Sequence, residues 1–284
     1  MDEKIAIVTG ANSGMGLATT VEIAKTGATV IMLCRNKERG NKALQEAIEQ
    51  SNSNKIDLML CDLGSFESIR SFVKQFKEKY NALHILVNNA GVISLKRQET
   101  VDGYEAQIGV NHLGHFLLTN LLLGVMKNSK EARIVNVSSG AHKIGKIHFN
   151  DINLTKRYRT FKSYSQSKLA NILFTKVLAE RLRESSITVN ALHPGAVATN
   201  IGVDRNTGFG KTVVGLLKYF FLTPAEGAAT AVYLATSPEV KGITGEYFYK
   251  KKITPVSKRA QDNEAAHRLW SWSEDAVELT NDSL

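Results

Sequence analysis

Unbroken apolar runs that alternate with helical patterns constrain the fold of this chain more than any other feature of its sequence. Seven such runs predict β-strands, at residues 4–9, 28–33, 55–61, 84–87, 133–137, 187–192 and 246–249. Strands that lack polar alternation are buried on both faces, which is typical of parallel sheets covered by helices. The sequence therefore predicts an α/β fold with a single doubly wound parallel sheet flanked by helices.

Segments with helical periodicity separate these runs, at residues 14–26, 38–50, 65–80, 101–127, 163–184 and 225–236. We expect the helix over 101–127 to break near Gly109, and a C-terminal helix over 261–280 to dock on the core through Trp270 and Trp272. No repeat or linker interrupts the alternation, so residues 1–284 are predicted to form one domain.

Composition excludes several classes of protein. Hydrophobic residues make up 43% and charged residues 22% of the chain, as in an ordinary globular protein. Two cysteines, Cys34 and Cys61, cannot build a disulfide framework and suggest a reducing compartment. The opening M-D-E-K is not typical of a signal peptide, and no run approaches the roughly 18 apolar residues of a membrane span. We therefore expect a cytoplasmic protein with no membrane span.

The net charge of +9 raises the question of an anionic partner. The densest basic runs lie within 156–162 and 250–259, and no helix-turn-helix or aromatic stacking motif accompanies them. We therefore predict that these runs are solvated surface and that no nucleic acid is bound. An anionic cofactor is the other partner that a basic balance favours.

A glycine-rich turn joins the first predicted strand to the first predicted helix. Residues 9–16 are T-G-A-N-S-G-M-G, with the glycine spacing G-x-x-x-G-x-G. Gly10 permits a tight turn, Gly14 lets the backbone approach a pyrophosphate, and Gly16 lets the helix pack closely on the strand. Free N–H groups at the helix N-terminus then face the phosphates, as in Rossmann-like folds. The contacts predicted in this turn are Gly10, Asn12, Ser13, Gly14, Met15 and Gly16.

The end of the second strand predicts which dinucleotide is bound. NAD-preferring folds place an acidic residue there to hold the ribose 2′-hydroxyl. This chain has Cys34 followed by Arg35, so no carboxylate repels a 2′-phosphate and a guanidinium can bind it. We predict NADP(H), with NAD(H) as the alternative if Arg35 only faces solvent. Asp62, followed by Leu63, ends the third strand, where a carboxylate can accept a hydrogen bond from adenine.

Tyr164 and Lys168 lie four residues apart on a predicted helix and therefore share one face. A free tyrosine has a pKa of about 10, which a nearby ammonium and an oxidised nicotinamide ring could lower toward the range useful for acid–base catalysis. Ser139 follows the fifth strand, where its hydroxyl could orient a substrate carbonyl. Asn111 lies near the predicted helix break, where a main-chain carbonyl could hold a relay water. Together these residues predict a proton-transfer site.

In these motifs the chain resembles the short-chain dehydrogenase/reductase family. The resemblance runs from residue 4 to residue 249 and rests on T-G-x-x-x-G-x-G, N-N-A-G at 88–91, Asn111, Ser139, Y-x-x-x-K and P-G at 194–195, in that order. It implies that Tyr164 is the general acid/base, that Lys168 lowers its pKa and binds the ribose, that Ser139 positions the carbonyl, and that Asn111 maintains a proton relay. The cofactor contacts it implies are Asn89, Ala90, Gly91, Val110, Tyr164, Lys168, Pro194, Gly195, Val197 and Thr199.

Further motifs are similar to the retinol dehydrogenase branch of that family: L-C-R-N at 33–36, V-N-H-L-G-H-F at 110–116, S-K-L-A-N at 167–171 and A-x-R-L-W-x-x-S-E from Ala266. They imply an oxidoreductase acting on the carbonyl or alcohol of an apolar substrate, retinal-like or lipid-derived. The N-terminal membrane anchor of many retinol-active members is not expected here. Helices at 101–127 and 163–184 form the dimer face in many relatives, which leaves a homodimer, a higher homo-oligomer and a monomer open.

Three further features have competing interpretations. The apolar segment 208–222 is predicted to be part of a substrate lid over 195–223, with core packing, a subunit interface and a membrane-surface helix as alternatives. His112 and His115 have a spacing that metals use, but no third ligand is near in sequence, so we predict packing and no metal. A non-catalytic NADP(H) sensor or scaffold is the alternative to an enzyme, and retention of all four site residues argues against it.

Overall fold

One sheet of eight strands organises the part of the chain that this computed structural model describes, which comprises residues 1, 3–195 and 222–279. The strands are β1 Ile5–Thr9, β2 Thr29–Cys34, β3 Ile56–Leu60, β4 Ile85–Asn88, β5 Ala132–Val137, β6 Ile187–His193, β7 Tyr247–Tyr249 and β8 Lys252–Ile253. Their order is β3-β2-β1-β4-β5-β6-β7-β8, and all neighbouring pairs from β3 to β7 are parallel. The predicted doubly wound parallel sheet is confirmed.

Helices cover both faces of the sheet. They are α1 Gly14–Ala24, α2 Lys37–Ser51, α3 Phe66–Lys79, α4 Ala106–Lys127, α5 Thr160–Arg181, α6 Pro224–Thr236 and α7 Asn263–Ala276. Apolar residues of α1, α2 and α6 form the core on one face, and those of α3, α4, α5 and α7 form the core on the other. The chain reverses direction across the sheet between β1 and β4, where such folds bind ligands at the carboxyl ends of the strands.

Helix α4 changes its winding where Asn111 lies. A first turn at Ala106–Ile108 passes into a π-helical segment at Gly109–Gly114 and then into regular helix from His115. Close packing excludes a side chain at Gly114, because a Cβ there would lie 2.3 Å from the Leu63 carbonyl oxygen. The helix thus does not break near Gly109 as predicted, but continues there with a change to π-helical winding.

The same helix begins at Ala106, later than the predicted residue 101. Glu105, which is fully buried, caps it by accepting hydrogen bonds from the backbone N–H groups of Gln107 and Ile108. Its carboxylate also accepts a hydrogen bond of 2.6 Å from the Ser163 hydroxyl in α5. The residues before it form a loop that is closed by a bridge between Glu99 and Glu105. A single buried carboxylate thus joins the starts of α4 and α5.

Helix α4 is also long and apolar enough to cross a membrane by length and composition alone, contrary to the expectation that no run of this sequence reaches that length. It is the one such helix among the described residues, and 83% of its most apolar stretch is buried inside the fold. A core helix of a folded domain meets the same criterion, so the observation carries little weight.

The two edges of the sheet differ from the prediction. β3 was expected to be buried on both faces, but it is an edge strand, and Leu60 is 46% exposed. β8 was not predicted; it pairs antiparallel with β7 after a turn at Lys250 and Lys251, both of which have positive φ. With only two residues, both exposed, β8 is too short for a sequence pattern to detect.

The predicted C-terminal helix is confirmed as α7. Trp270 is 3% exposed, and its ring centroid lies 4.9 Å from that of Phe116 in α4 and 5.8 Å from that of Phe174 in α5. The Arg181 guanidinium lies 4.3 Å from the Trp270 ring centroid. Trp272 packs against the same core but is only partly buried. Helix α7 therefore covers neighbouring faces of α4 and α5.

The predicted lid over 195–223 falls almost entirely on residues 196–221, outside the described part of the chain, so it stays a prediction. Both of its ends are described. Gly195 has a φ of 91°, and a Cβ on it would lie 2.5 Å from Leu222 Cδ1. Thr223 then caps α6 through reciprocal hydrogen bonds with Glu226. The two ends of the segment therefore meet just beyond β6.

Candidate active site

The glycine-rich turn leads from β1 directly into α1. Gly10 and Gly14 have φ values of 64° and 55°, in the left-handed region that favours glycine. A Cβ on Gly16 would lie 2.3 Å from the Gly10 carbonyl oxygen and 2.6 Å from Asn89 Nδ2. Ser13, the N-cap residue of α1, makes no side-chain capping bond, so it does not occupy the N–H groups of the first turn. The turn therefore has the room and the donors that a pyrophosphate requires.

The other predicted cofactor contacts near this turn differ in the solvent exposure of their side chains. Asn12 and Ser13 present their side chains at least partly to solvent, at the mouth of the turn. Met15 and Leu63 are buried in the two core clusters on opposite faces of the sheet. The side chains of Met15 and Leu63 therefore belong to the core, and only their backbone atoms can face a ligand.

Charged side chains follow β2 and β3 at the same edge. Cys34 is buried at the end of β2, while the Arg35 side chain is 63% exposed. Arg35 Nη1 lies 3.8 Å from Asp62 Oδ2, and Asp62 Oδ1 accepts a hydrogen bond of 2.9 Å from the Gly64 N–H. An ion pair that is both exposed and long holds its partners weakly. The Arg35 guanidinium is therefore able to turn toward a ligand.

Tyr164, Lys168 and Ser139 meet just beyond the carboxyl end of β5. Lys168 Nζ lies 5.7 Å from the centroid of the Tyr164 ring and donates a hydrogen bond of 3.1 Å to the Val137 carbonyl. The Ser139 hydroxyl lies beside Tyr164, where it acts to lower the pKa of the phenol. Ser138 instead donates to the Lys168 carbonyl at 2.7 Å. Ser139 rather than Ser138 therefore contacts the tyrosine, in agreement with the strand alternation.

The pKa of Tyr164 is shifted in the direction opposite to the one expected. Burial raises the pKa of Tyr164, and the Ser139 hydroxyl opposes that rise only in part. Burial also lowers the pKa of Lys168 to about 8. Lys168 therefore does not lower the pKa of Tyr164 as expected. Its ammonium binds the Val137 carbonyl rather than the phenol oxygen.

Asn111, in the π-helical segment of α4, is fully buried and tied to the loop after β4. Its Nδ2 donates to the Val92 carbonyl at 3.1 Å, and its Oδ1 accepts from the Val92 N–H at 2.8 Å. Nδ2 also donates to the Ser167 hydroxyl in α5 at 3.0 Å. A Cβ on Gly91 would lie 3.5 Å from Asn111 Oδ1 and 3.6 Å from Lys168 Nζ. The fold therefore brings together all four predicted catalytic residues and the N-N-A-G loop.

The N-N-A-G loop is held against the end of β1. Thr9 Oγ1 accepts hydrogen bonds of 2.9 Å from the backbone N–H groups of Asn89 and Ala90. Asn89 Nδ2 donates to the Thr9 carbonyl at 2.7 Å. Val110, a predicted cofactor contact, is half-buried in the adjacent π-helical segment. Thr9, to which the sequence patterns assign no role of its own, is therefore the anchor of this loop.

The contacts predicted after β6 are described only in part. Val197 and Thr199 lie outside the described residues. The Gly195 N–H donates to His193 Nδ1 at 3.0 Å, and the His193 ring stacks on Tyr249 with centroids 4.6 Å apart. His193 therefore braces the turn at Pro194.

The two histidines of α4 contact different partners. His112 Nε2 lies 2.8 Å from the Ser273 hydroxyl in α7, and His115 Nε2 lies 2.9 Å from Thr9 Oγ1. Burial lowers the pKa of His112 to about 3 and that of His115 to about 4. Among the described residues no group of three or more His, Cys, Asp or Glu side chains could hold a metal ion. These contacts agree with packing roles for both histidines.

Comparison with known proteins matches this architecture. A family model described as short chain dehydrogenase matches residues 4–208. Human retinol dehydrogenase 14 is 44% identical over 294 residues, with 98% of this chain and 88% of that protein covered. Human retinol dehydrogenase 13 is 42% identical over 288 residues, with coverage of 99% and 86%.

Solved structures show the same fold. An uncharacterised protein from Mycobacterium paratuberculosis superposes with a TM-score of 0.79 at 33% identity, covering 98% of this chain and 94% of that one. A variant of actinorhodin polyketide ketoreductase, solved with NADPH, superposes with a TM-score of 0.66 at 27% identity, covering 87% and 97%.

A dinucleotide-dependent oxidoreductase is the class of protein defined by the glycine-rich turn, the parallel sheet and the grouped Ser139, Tyr164 and Lys168. More narrowly, this chain belongs to the short-chain dehydrogenase/reductase family, with retinol dehydrogenases among its relatives. Membership of the family implies a nicotinamide cofactor and a small-molecule substrate.

Proposed function

We propose that this protein is an NADP(H)-dependent oxidoreductase that interconverts the carbonyl and alcohol groups of an apolar substrate, retinal-like or lipid-derived. The observation that carries the proposal is the grouping of Ser139, Tyr164 and Lys168 beyond the carboxyl end of β5, with Lys168 Nζ 5.7 Å from the centroid of the Tyr164 ring. A tyrosine and a serine that lie side by side at this edge of the sheet are placed to bind one substrate oxygen between them.

Each of these side chains has a separate task in the proposed reaction. Tyr164 gives its proton to the substrate oxygen during reduction and takes it back during oxidation. Ser139 holds that oxygen against Tyr164, and Lys168, whose ammonium lies over the Tyr164 ring and donates to the Val137 carbonyl, would bind the ribose of the cofactor. Asn111 ties the π-helical segment to the loop after β4, which keeps the site assembled. When bound, the nicotinamide supplies or takes the hydride, and in its oxidised form it adds a positive charge that counters the effect of burial on Tyr164.

Two neighbouring residues support the preference for NADP(H). Cys34 is buried where a carboxylate would otherwise hold a ribose 2′-hydroxyl. Arg35 is exposed and only loosely paired with Asp62, so its guanidinium can turn to a 2′-phosphate. The structurally similar ketoreductase was solved with NADPH, which supports the same choice.

Relatives named retinol dehydrogenases, at 44% and 42% identity, support an apolar substrate. The test mixes purified protein and NADPH or NADH with all-trans-retinal, nonanal or, as a polar control, glyceraldehyde. The loss of reduced nicotinamide and the alcohol formed are both measured. We expect turnover of retinal or nonanal with NADPH preferred. A preference for NADH would keep the oxidoreductase and refute the argument from Arg35, and turnover of glyceraldehyde alone would refute the apolar substrate.

A Tyr164→Phe variant tests the chemistry. It should lower kcat by about 10²- to 10⁴-fold, the usual contribution of a general acid/base, while NADP⁺ still binds. Unchanged turnover would refute the role of Tyr164. A wild-type protein that binds NADP⁺ tightly and reduces none of the aldehydes would favour a sensor or scaffold instead.

A further inference from the structure

Two hydrogen bonds of His115 join parts of the site that are distant in the sequence. This residue begins the regular part of α4 and is 2% exposed. Its Nδ1 lies 3.1 Å from the Asn111 carbonyl oxygen, and its Nε2 lies 2.9 Å from Thr9 Oγ1. Thr9 in turn accepts from the N–H groups of Asn89 and Ala90. One imidazole therefore connects the catalytic helix, the end of β1 and the N-N-A-G loop.

The partners of His115 determine its tautomer. The Asn111 carbonyl can only accept a hydrogen bond, so Nδ1 carries the proton and Nε2 presents a lone pair. The Thr9 hydroxyl therefore donates to Nε2 at 2.9 Å in preference to the Val87 carbonyl oxygen at 3.4 Å, which leaves its own lone pairs for the N–H groups of Asn89 and Ala90. Because burial lowers the pKa of His115 to about 4, this neutral form persists at neutral pH.

We infer that His115 is a positioning residue of the active site that acts through two separable contacts. Its Nδ1 holds the Asn111 carbonyl and thereby the π-helical segment that carries Asn111. Its Nε2 holds Thr9 and, through Thr9, the backbone of the N-N-A-G loop. The inference rests on the proposed function for its effect on rate. Its effect on dinucleotide binding requires only the cofactor class that the family implies.

Two substitutions separate these contacts. His115→Asn places an amide nitrogen near the position of Nδ1, so it retains the bond to Asn111 and loses the bond to Thr9. His115→Gln places an amide oxygen near the position of Nε2, so it retains the bond to Thr9 and loses the bond to Asn111. His115→Leu removes both. The matched control is His112→Gln, because His112 is a second buried imidazole of α4 whose ring binds Ser273 instead.

The full chain of each variant is titrated with NADP⁺ and NAD⁺ by calorimetry and assayed for reduction of nonanal. For the dinucleotide that the wild type binds, we expect His115→Asn to raise Kd by about 10-fold, the effect of one lost hydrogen bond, with kcat near the wild-type value. We expect His115→Gln to lower kcat by about 10-fold or more through misplacement of Asn111, with Kd near the wild-type value. His115→Leu should show both losses and His112→Gln neither.

The crossed pattern separates positioning from packing, because a general loss of packing moves both readouts together. The inference is overturned if His115→Asn and His115→Gln change the same readout or neither, or if His112→Gln matches them. A wild type that binds a dinucleotide but reduces no nonanal would refute nonanal-type substrates, while the Kd values of the two His115 variants would still decide the positioning role. Binding of neither dinucleotide by the wild type would refute both proposals.

Discussion

Replacement of Lys168 by methionine should abolish turnover and yet make the folded protein more stable near neutral pH. The lysine is 4% exposed, and burial lowers its pKa from the ordinary 10.5 to about 8. A group that is harder to charge in the folded protein than in the unfolded chain destabilises the fold wherever it is charged in both. Methionine has a similar length and carries no charge.

The size of the effect follows from the two pKa values of Lys168. Between about pH 8 and 10.5 the unfolded chain binds a proton that the folded protein has released, so stability rises with pH across this interval. A pKa difference of about 2.5 corresponds to about 3 kcal/mol of unfolding free energy. The buried charge of Lys168 destabilises the wild type by this amount below about pH 8. The variant loses one hydrogen bond to the Val137 carbonyl, about 1 kcal/mol, but Asn171 Nδ2 still donates to that carbonyl. The net gain at about pH 7 is therefore about 2 kcal/mol.

Urea unfolding of both proteins at a series of pH values measures this difference directly. We expect the advantage of Lys168→Met to shrink by about 2 kcal/mol between about pH 7 and 9.5, since the wild-type lysine becomes neutral in the folded state. Equal slopes of the unfolding free energy against urea are the control for a common unfolded state. A difference that stays constant with pH, or a variant that is less stable at neutral pH, would refute the reasoning.

Three other predictions concern the cofactor site and the core. Arg35→Ala should weaken NADP⁺ binding by about 10- to 100-fold and leave NAD⁺ binding unchanged in calorimetry; equal losses for both would remove Arg35 from 2′-phosphate recognition. Gly16→Ala should abolish dinucleotide binding, since its Cβ would lie 2.3 Å from the Gly10 carbonyl, whereas the control Gly124→Ala, with open space around it, should bind normally. Trp270→Ala should destabilise the fold by about 3–5 kcal/mol in urea unfolding, as for other buried aromatic side chains; a loss below about 1 kcal/mol would show that α7 is not held by Trp270.

Features that depend on residues close in sequence could be predicted from the sequence. The apolar runs and the turn from Gly10 to Gly16 carry local signals, and the structure contains both, while at Gly109 the helix changes its winding instead of breaking. The Y-x-x-x-K spacing likewise places Tyr164 and Lys168 on one face of α5.

Features that depend on distant partners could not be predicted. Glu105 is buried because Ser163, 58 residues later, donates to its carboxylate. His115 and Thr9 are 106 residues apart, so no local pattern joins them. The rise in the pKa of Tyr164 depends on how deeply α5 is packed, which the spacing of two residues does not reveal.

Helix α7 has a consequence for how this protein is made. Trp270 completes a cluster with Phe116 and Phe174, so those two rings lack their partner until the last helix has been synthesised. About 100 residues separate Phe174 from Trp270, and at about 5–20 residues per second their translation takes about 5–20 s. During that time the nascent chain exposes the Phe116 and Phe174 rings while β6, β7 and β8 are still being added to the sheet. This aromatic cluster therefore forms only after α7 has been synthesised, and chaperones that bind aromatic surface can act on the two rings before then.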